Sequence, residues 1–528
     1  MLRIDQIRLL PGDSEALLPG KCARILRLPA EDIVSCAVLR RAIDAREGLT
    51  LVYTAAVEVK REDTVLRRCR DKRVSRYAPE TYALPAAVTA PETPPIVVGA
   101  GPAGLFAALV LARCGARPIV LERGRPVEQR QADVERFWSG GALDTESNVQ
   151  FGEGGAGAFS DGKLNTGTRD VRHRFIMETL VRCGAPESIL ADAKPHVGTD
   201  MLHIALRSLR RELTEAGADI RFGARLESLR TKGGAVCGVT VRQDGAVYDL
   251  PARQVVLALG HSARDTFEML YRAGLAMEQK PFAMGVRIEH RQADVDAAQY
   301  RALAGHPALP PSTYKLSCHL PNGRSAFSFC VCPGGQVVAA ASETGRTVTN
   351  GMSEYARSGE NINGALLVNV TAEDFPSPHP LAGIALQRQV EEAAFALGSG
   401  DYRAPCQRVE DFLRGAPSAG AGRVTPSYRP GVVYTDMARC LPPFITETLR
   451  LALPVLGKKL KGYDDPDALL TGVETRSSSP VRLVRDDNYE ANIRGIYPCG
   501  EGAGYAGGIL SAAADGMRCA EKLLEVCK

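Results

Sequence analysis

The sequence of 528 residues has no long apolar run. The longest, from Ala103 to Ala112, has ten residues and ends at Arg113. A membrane-spanning helix needs about 20 such residues, so no membrane span is predicted. The N-terminus alternates charged residues with Ile and Leu, and it therefore lacks the apolar stretch of a signal peptide. These absences predict a cytoplasmic protein.

The chain also lacks a strong excess of one charge. Lys and Arg number 65 and Asp and Glu number 61, which gives a net charge of +4. A protein that binds nucleic acid over its whole surface carries a larger positive excess, so the composition argues against that class. The basic run from Lys60 to Arg76 is a weak exception. A solvated face is the favoured interpretation of this run, ahead of an RNA or partner site.

A disulfide framework is not predicted either. The 14 cysteines are spread over the whole chain, as expected for reduced thiols in a cytosolic protein. No internal repeat of fixed period and no low-complexity tail is present. The content of 45% hydrophobic and 24% charged residues is ordinary for a globular protein. At roughly 150 residues per domain, the length predicts two to four domains.

A Pro-, Ala- and Thr-rich segment at residues 85–95 predicts a semi-rigid linker. It separates a small N-terminal α/β module, residues 1–84, from the rest of the chain. Within this module the pattern predicts strands at Arg3–Leu10 and Leu49–Val59 and a helix at residues 31–47.

Beyond the linker, short β-branched runs alternate with helical stretches, which is the pattern of an α/β fold. Residues 281–480 differ, because they are rich in strand-like runs such as Ala283–Ile288 and Ala326–Val331. The predicted fold class is α/β. A Rossmann-like domain in two parts, 96–280 and 481–528, would enclose this β-rich substrate or cap domain.

The most informative segment is a G-x-G-x-x-G motif formed by Gly99, Gly101 and Gly104. It follows a predicted strand, Ile96–Val98, and opens an Ala- and Leu-rich helix. The first glycine allows a tight turn, the second lets the backbone approach a pyrophosphate, and the third allows close helix packing. Glu122 follows 23 residues after Gly99, where a carboxylate would bind ribose hydroxyls. An acid there disfavours a 2′-phosphate, so FAD or NAD is preferred over NADP.

A second glycine-rich bend near the C-terminus distinguishes FAD from NAD. Residues 494–510 predict a short strand, a bend that contains Glu501, and a helix whose N-terminus points at a flavin. NAD domains have no need of this return. Residues 254–260 form a further predicted strand, which ends in glycine beside the cofactor. Three segments in this order predict FAD as the cofactor.

The predicted FAD-contacting residues come from these segments and from a glycine-rich loop at residues 151–164. The first segment and the residues after it supply Gly99, Gly101, Pro102, Ala103, Gly104, Glu122, Arg123 and Arg130. The loop has five glycines that let its backbone press against a flat ring, and its polar candidates at the flavin edge are Glu153, Ser160, Asp161 and Lys163. The loop residues in the predicted site are Gly154, Gly155, Ala156, Gly157, Asp161 and Lys163. The other two segments supply Ala258, Gly260, Gly500, Glu501, Gly502, Gly507, Gly508 and Ile509.

Four motifs carry a resemblance to a known family: Phe151–Leu164, Phe327–Gly335, Val473–Pro480 and Tyr497–Gly504. The sequence resembles the glutathione-reductase-type FAD superfamily and, within it, a family of bacterial and plastid FAD-dependent dehydrogenases. The resemblance covers essentially the whole chain, and it implies FAD and redox chemistry with no settled substrate. Where such families have Met between the two cysteines of the second motif, this chain has Val331.

The source of electrons stays open. No second strand–G-x-G-x-x-G–helix unit is present, and residues 396–401 lack the third glycine and a preceding β-branched strand. A separate NAD(P)H domain is therefore not predicted. NAD(P)H that docks transiently over the flavin, an electron-donor protein and the substrate itself are the alternatives.

The catalytic candidates are Cys330, Cys332, His290 and Lys163. The cysteines form a C-x-C pair on a predicted strand, so they share a face. A redox pair and two buried apolar side chains are about equally favoured, and a disulfide between them would need a bulge or bend. With Cys318 and His319 the spacing is not a standard zinc pattern, so no metal site is predicted.

His290 is the best-placed general acid of eight histidines, because an imidazole exchanges protons near neutral pH, although a structural role is favoured. Arg287 and Arg476 either bind a substrate carboxylate or serve as paired structural cations.

The sequence predicts an FAD-dependent oxidoreductase. A hydride would pass between flavin N5 and an unidentified small-molecule substrate at the domain interface. Two alternatives stay open: a flavin–thiol enzyme that uses Cys330 and Cys332, and a non-catalytic binding protein with an FAD fold.

Overall fold

The N-terminal residues form a four-stranded sheet with two α-helices. The computed structural model describes residues 1–46 and 48–526. The first elements are β1 (Leu2–Leu9), α1 (Leu18–Leu26), β2 (Ile33–Asp44), β3 (Thr50–Val59), α2 (Glu62–Arg68) and β4 (Val74–Arg76). The strand order is β2-β3-β1-β4 with antiparallel neighbours, the split β-α-β-β-α-β arrangement. Leu2, Ile4 and Leu9 share one buried apolar cluster with Leu18 and Leu26 of α1.

The helix predicted at residues 31–47 is wrong for the described residues 31–46, most of which form strand β2, and residue 47 lies outside the described residues. Its residues pair with β3 from Ile33 opposite Val59 to Asp44 opposite Thr50. Val34, Val38 and Leu39 have a helix-like spacing, but β-branched side chains favour a pleated strand and the pairing with β3 overrides the local pattern. The strands predicted at Arg3–Leu10 and Leu49–Val59 are confirmed as β1 and β3.

The next part of the chain alternates strands with helices around a parallel sheet. Its elements are β5 (Ile96–Val98), α3 (Pro102–Arg113), β6 (Ile119–Leu121), α4 (Val127–Trp138), α5 (Val171–Arg182), α6 (Thr199–Glu215), β7 (Asp219–Arg221), β8 (Ala224–Lys232), β9 (Ala235–Gln243), β10 (Ala246–Pro251), β11 (Val255–Leu257), α7 (Arg264–Arg272) and β12 (Met277–Gln279). Strands β8, β9 and β10 form a separate antiparallel sheet.

Residues beyond this form a seven-stranded sheet. Its region contains β13 (Phe282–Arg291), α8 (Gln292–Tyr300), β14 (Ser317–His319), β15 (Ser325–Cys332), β16 (Gln336–Ala339), β17 (Thr349–Met352), β18 (Asn361–Val370), α9 (Ala382–Leu397), β19 (Ala404–Arg408), α10 (Val409–Arg414), β20 (Val432–Tyr434), α11 (Pro443–Lys459) and β21 (Leu469–Glu474). The sheet order is β14-β15-β18-β13-β21-β19-β20. This sheet, called the cap sheet below, confirms the predicted strands at Ala283–Ile288 and Ala326–Val331.

The C-terminal residues return to the parallel sheet. They form β22 (Val481–Leu483), β23 (Ile496–Pro498) and α12 (Ile509–Val526). The parallel order is β23-β11-β5-β6-β7, so the last strand completes a sheet begun about 400 residues earlier. The fold class is therefore mixed α/β with a Rossmann-like sheet. Within residues 1–46 and 48–526, no helix is both long and apolar enough to cross a membrane.

Candidate functional site

The glycine-rich turn after β5 brings three backbone segments into close contact. Gly99 has a φ of +103°, and a Cβ there would overlap the carbonyl oxygen of Ala258. A Cβ on Gly104 would overlap the carbonyl oxygen of Gly99, so α3 packs directly on the turn. Gly101 differs, because the atom nearest to a Cβ there is the Cα of Gly155, at 3.9 Å. The missing side chain of Gly101 therefore leaves open space.

A cavity of about 330 Å³ lies at the carboxyl ends of β5, β6, β11 and β23. Open α/β sheets bind their ligands at this edge. The opposite wall comes from the cap sheet and its neighbours, through Phe329 and Cys330 of β15, Asn350 of β17 and Glu474 of β21. The cavity thus joins the parallel sheet to the cap sheet.

Most of the predicted FAD-contacting residues line this cavity. They are Gly99, Gly101, Pro102, Ala103, Glu122, Arg123, Gly155, Ala156, Gly157, Asp161, Lys163, Ala258, Gly260, Glu501, Gly507, Gly508 and Ile509. The remaining five, which lie outside the lining, are Gly104, Arg130, Gly154, Gly500 and Gly502. Two of them contact segments that line the cavity. The Gly154 amide donates to the Ala100 carbonyl at 2.8 Å. A Cβ on Gly502 would overlap the Gly260 backbone.

Glu122, which follows β6, accepts hydrogen bonds from the backbone of three surrounding loop segments. Its carboxylate accepts backbone N–H bonds from Ala100 at 2.8 Å and from Gly124 and Gly152 at 2.9 Å. The side chain is 5% exposed and also lines the cavity. One carboxylate therefore fixes the turn after β5 and the start of the glycine-rich loop, in addition to its predicted role toward a ribose.

Arg130 shapes the glycine-rich loop from a fully buried position on α4. Its guanidinium donates to the carbonyl oxygens of Asn148 at 2.8 Å, Val149 at 2.9 Å and Glu153 at 2.7 Å. These bonds hold the turn that carries Phe151 into the cavity wall. The side chain therefore holds the loop from a position outside the cavity lining, and its direct contact with a cofactor stays a prediction.

Asp161 and Lys163 connect the glycine-rich loop to the cap region. The carboxylate of Asp161 accepts bonds from Ser353 and Arg357, and it lies 3.3 Å from the Lys163 ammonium. Burial favours the neutral acid, but the charges of Lys163 and Arg357 hold the pKa of Asp161 below its ordinary value. The Nζ of Lys163 also donates to the carbonyl oxygen of Val331 in β15. Both charges thus lie at the junction between the two sheets.

Glu501 lines the cavity from the bend before α12. Burial raises its pKa to about 7, and the nearby Cys330 adds to this shift while Lys280 opposes it. The bend is fixed behind it, because the Gly500 amide donates to Asp515 at 2.8 Å. Glu501 is thus an acid of the cavity that changes charge near neutral pH.

The C-x-C pair lies on an irregular part of β15. Cys330 has a φ of +44°, and the pairing of β15 with β18 shifts its register between Phe329 and Cys332. A non-glycine residue in the left-handed region marks local strain, which is concentrated at functional sites. Cys330 lines the cavity, whereas Cys332 is fully buried and does not line it. The bulge that a disulfide would require is therefore present.

Two cations influence the pair. Arg287 donates from Nη2 to the Cys330 carbonyl at 2.6 Å and to the Sγ of Cys332 at 3.5 Å. A hydrogen bond from Cys332, together with the charges of Lys163 and Arg287, lowers the pKa of the Cys330 thiol to about 5. The same hydrogen bond and burial raise the pKa of the Cys332 thiol well above its ordinary value. These surroundings therefore favour the thiolate at Cys330 and the neutral thiol at Cys332.

His290 lies outside the cavity lining, in contrast to its prediction as a general acid. Its Nε2 lies 2.8 Å from the carbonyl oxygen of Tyr463, and its ring packs against the rings of Tyr463 and Tyr314. Burial lowers the pKa of His290, so the ring is neutral at neutral pH. These contacts fit the structural role that the sequence favoured.

Arg287 and Arg476 are both paired with acids. Arg287 donates to the two carboxylate oxygens of Glu474 at 2.8 and 2.9 Å. Arg476 donates to the two oxygens of Glu391 at 3.0 and 2.9 Å, and to Ser342 at 2.6 Å. Of the two alternatives left open by the sequence, these contacts favour structural cations.

The cavity wall contains further polar residues that sequence reasoning missed. They include His261, Ser262, Asn350, Glu474 and Ser477. Burial, with Arg476 and Arg264 nearby, lowers the pKa of His261 to about 3, so this ring is neutral at neutral pH. Glu474 and Ser477 lie in the motif Val473–Pro480, which was the available signal. Asn350 had none, because β17 reaches the cavity only through the assembled fold.

Comparison with known proteins identifies the class. Residues 95–161 match a family model described as an FAD binding domain, residues 281–477 match one described as FAD-dependent protein, C-terminal domain-like, and residues 1–60 match a domain of unknown function. Protein FixC of Escherichia coli (strain K12) is 30% identical over 203 residues, which cover 37% of this chain and 42% of FixC. These matches identify the chain as an FAD-binding protein.

A full-length relative places the chain more narrowly. An uncharacterized protein of Clostridium beijerinckii (strain ATCC 51743 / NCIMB 8052) is 45% identical over 529 residues, 99% of this chain and 98% of that protein. The chain belongs to the same family as this protein. Among solved structures, halogenase PltM L111Y mutant in complex with FAD is similar with a TM-score of 0.40 and 12% identity, over 83% of this chain and 70% of that chain. Flavin-dependent brominase Bmp2 has a TM-score of 0.38 and 12% identity, over 82% and 79%.

Proposed function

We propose that the protein holds FAD in the cavity and uses it to oxidise or reduce a small molecule beside the cap sheet. One observation carries this proposal. A single cavity extends from Gly101 and Glu122 at the parallel sheet to Cys330 and Glu474 at the cap sheet. The end of the cavity at the parallel sheet has the residues of a dinucleotide site. The end at the cap sheet has the titratable side chains that redox chemistry requires.

The residues at the parallel-sheet end of the cavity fit FAD. A Cβ on Gly155 would lie 3.2 Å from the Cα of Gly101, so the two backbones approach closely, and the pyrophosphate would occupy the open side of Gly101. Pro102 begins α3 at this space, and the unpaired amides of a helix N-terminus favour an anion there. Glu122 would hold the ribose hydroxyls, and the bend with Glu501 would lie at the flavin.

Bound FAD would supply two-electron chemistry, with hydride exchange at its N5. The chain's own residues bind and enclose this reaction. Lys163 links the glycine-rich loop to β15, and the indole of Trp138 donates to Ala339 of β16 at 2.9 Å. Phe329, 43% exposed, presents an apolar ring at the cavity wall where a substrate would pack.

A second candidate function is a flavin–thiol enzyme. The strained backbone of Cys330 and the lowered pKa of its thiol favour this candidate, because a reactive cysteine needs a stabilised thiolate in an accessible wall. The position of Cys332 outside the lining argues for the first candidate. A non-catalytic binding protein with an FAD fold is the third alternative, and turnover with any donor would exclude it.

The electron donor is proposed from the single nucleotide motif. NADH and NADPH would reduce the flavin slowly or without selectivity, since no second G-x-G-x-x-G unit is present in the sequence. Rapid reduction in stopped-flow measurements by only one of the two nicotinamides would contradict this. If NADH and NADPH are slow donors, as proposed, an electron-donor protein or the substrate itself would supply the electrons in the cell.

The proposed function is tested on the purified protein. We expect yellow protein that releases FAD and not FMN on denaturation, and mass spectrometry of the native protein should identify any co-purified substrate. Colourless protein that does not bind added FAD would refute the proposal.

A further inference from the structure

Glu474 is an acid in the cavity wall, and the proposed function assigns it no specific role in the reaction. It ends β21, it is 4% exposed, and it lines the cavity. Among the described residues, Arg287 is the hydrogen-bond partner of its carboxyl group, at 2.8 and 2.9 Å. Arg287 is itself held by Asn363 at 3.0 Å and by the Cys330 carbonyl at 2.6 Å. The acid is therefore fixed in place from behind and presented to the cavity.

The charges around Glu474 come from several elements. Arg287 lies on β13 and Cys330 on β15, and the cavity lining also contains the charged residues Lys163, Glu501 and Arg476. Burial raises the pKa of Glu474 to about 7, the negative charge of Cys330 adds to this, and Arg287 opposes it. An acid that changes protonation near the working pH is well suited to acid–base catalysis.

We propose that Glu474 is the catalytic residue that exchanges a proton with the substrate in the cavity. The proposal rests on the proposed function, and its substrate class is any molecule whose oxygen or nitrogen gains a proton on reduction. In that direction the O–H bond of the neutral carboxyl group breaks, and the proton bonds to a lone pair of the substrate heteroatom. The carboxylate left behind faces the Arg287 guanidinium, which stabilises it. In the oxidation direction the carboxylate takes this proton from the substrate, and after a reduction a proton from solvent restores the acid.

Three other titratable candidates are less suited to this task. His290 lies outside the lining and is bonded to Tyr463. The ammonium of Lys163 is bonded to the Val331 carbonyl and paired with Asp161. The Cys330 thiol has a lowered pKa, so at neutral pH it is a thiolate without a proton to donate.

The test compares two electron acceptors on the FAD-loaded, dithionite-reduced protein. Reduction of p-benzoquinone consumes protons, whereas ferricyanide accepts electrons alone. We expect Glu474→Gln to slow reoxidation by p-benzoquinone about 100-fold and to change reoxidation by ferricyanide less than about twofold. Glu474→Asp, which keeps the acid, should recover much of the quinone rate. Glu289→Gln is the matched control, since Glu289 is a fully buried acid of β13 that is bonded to Ser427 and lies outside the cavity lining.

A second measurement needs neither cofactor nor substrate. In the apoprotein, the infrared band of the protonated Glu474 carboxyl group, identified by its absence in Glu474→Gln, should titrate near pH 7. Equal effects on both acceptors, an unchanged quinone rate, or a band that titrates near pH 4 would overturn the inference. A wild-type protein that does not bind FAD would refute the proposed function instead. If Glu474→Gln does not fold, Glu474→Asp decides, because the pH at which its quinone rate falls should shift together with the pH at which its carboxyl band titrates. A rate profile that stays in place while the band shifts would overturn the inference.

Discussion

The indole Nε1 of Trp138 donates a hydrogen bond to the carbonyl oxygen of Ala339 at 2.9 Å. Trp138 is the single tryptophan of the chain and ends α4, beside the parallel sheet, whereas Ala339 ends β16 in the cap region. The indole is 2% exposed, and its ring meets the Phe159 ring edge-on, at 6.1 Å between centroids. One side chain thus joins the glycine-rich loop, α4 and the cap region.

Trp138→Phe should weaken this junction. The variant removes a buried donor and leaves a small cavity, so we expect the protein to lose about 1–3 kcal/mol of stability. The measurement is the midpoint of urea unfolding, monitored by circular dichroism because the substitution removes the tryptophan fluorescence. Tyr271→Phe is the control, since Tyr271 is 39% exposed and its midpoint should not move. An unchanged midpoint for Trp138→Phe would mean that the junction does not contribute to stability.

Gly101→Val should abolish FAD binding while the protein still folds. The nearest atom to a Cβ at Gly101 is 3.9 Å away, so the side chain would not collide with the protein but would occupy the space proposed for the pyrophosphate. We expect colourless protein with an unchanged circular dichroism spectrum. Gly167→Val, at a glycine with no atom within 4 Å of a Cβ and outside the cavity lining, should stay yellow. FAD content equal to that of the wild type in Gly101→Val would contradict the proposed pyrophosphate site.

The two walls of this cavity differ in how far the sequence predicts them. The wall near Gly99 and Glu122 depends on one strand–turn–helix unit, whose glycines have a steric reason at fixed spacing, so local sequence was sufficient. The wall formed by the cap sheet contains Cys330 and Glu474, which lie more than 100 residues apart in the sequence. The strand order of the cap sheet brings them together. No local pattern encodes that order. The same reason explains the error at β2, where pairing with β3 decided a segment that local spacing had favoured as a helix.

Glu153→Gln should change the pH dependence of stability. Glu153 is 1% exposed, it accepts the Val127 amide at 2.8 Å, and burial raises its pKa to about 7. The folded state therefore binds more protons than the unfolded state between about pH 4.5 and 7, so stability falls as pH rises through this range. The neutral glutamine has no such cost of ionisation. We expect the variant to be more stable than the wild type at pH 8 by about 1–3 kcal/mol, with a smaller difference at pH 5.

The measurement for Glu153 is the urea midpoint of both proteins at pH 5, 6, 7 and 8. Glu373→Gln, at an exposed acid, serves as the control and should follow the wild type at every pH. A difference between Glu153→Gln and the wild type that stays constant across this range would show that the carboxyl group does not ionise there.

The last prediction concerns the C-x-C pair, which separates the first two candidate functions. Anaerobic reduction to completion should consume two electrons per chain if FAD alone is reduced, and four if a Cys330–Cys332 disulfide is reduced as well. We expect two, because Cys332 is fully buried, has a pKa raised well above its ordinary value and lies outside the cavity lining. Formation of the disulfide would also require the buried Cys332 thiol to lose its proton, which its raised pKa disfavours.

Two variants make the electron count decisive. Cys332→Ser should still consume two electrons, and Cys237→Ser, at an exposed cysteine, controls for the loss of a thiol elsewhere. A wild-type count of four that falls to two in Cys332→Ser alone would establish the flavin–thiol enzyme in place of the first candidate. The strain at Cys330 would then have a chemical reason, because alternate Cα atoms of a regular strand lie about 6.5–7 Å apart, at or beyond the usual disulfide limit, and the backbone at φ of +44° departs from a regular strand. With a count of two, the same bulge serves to present the Cys330 thiolate to the cavity.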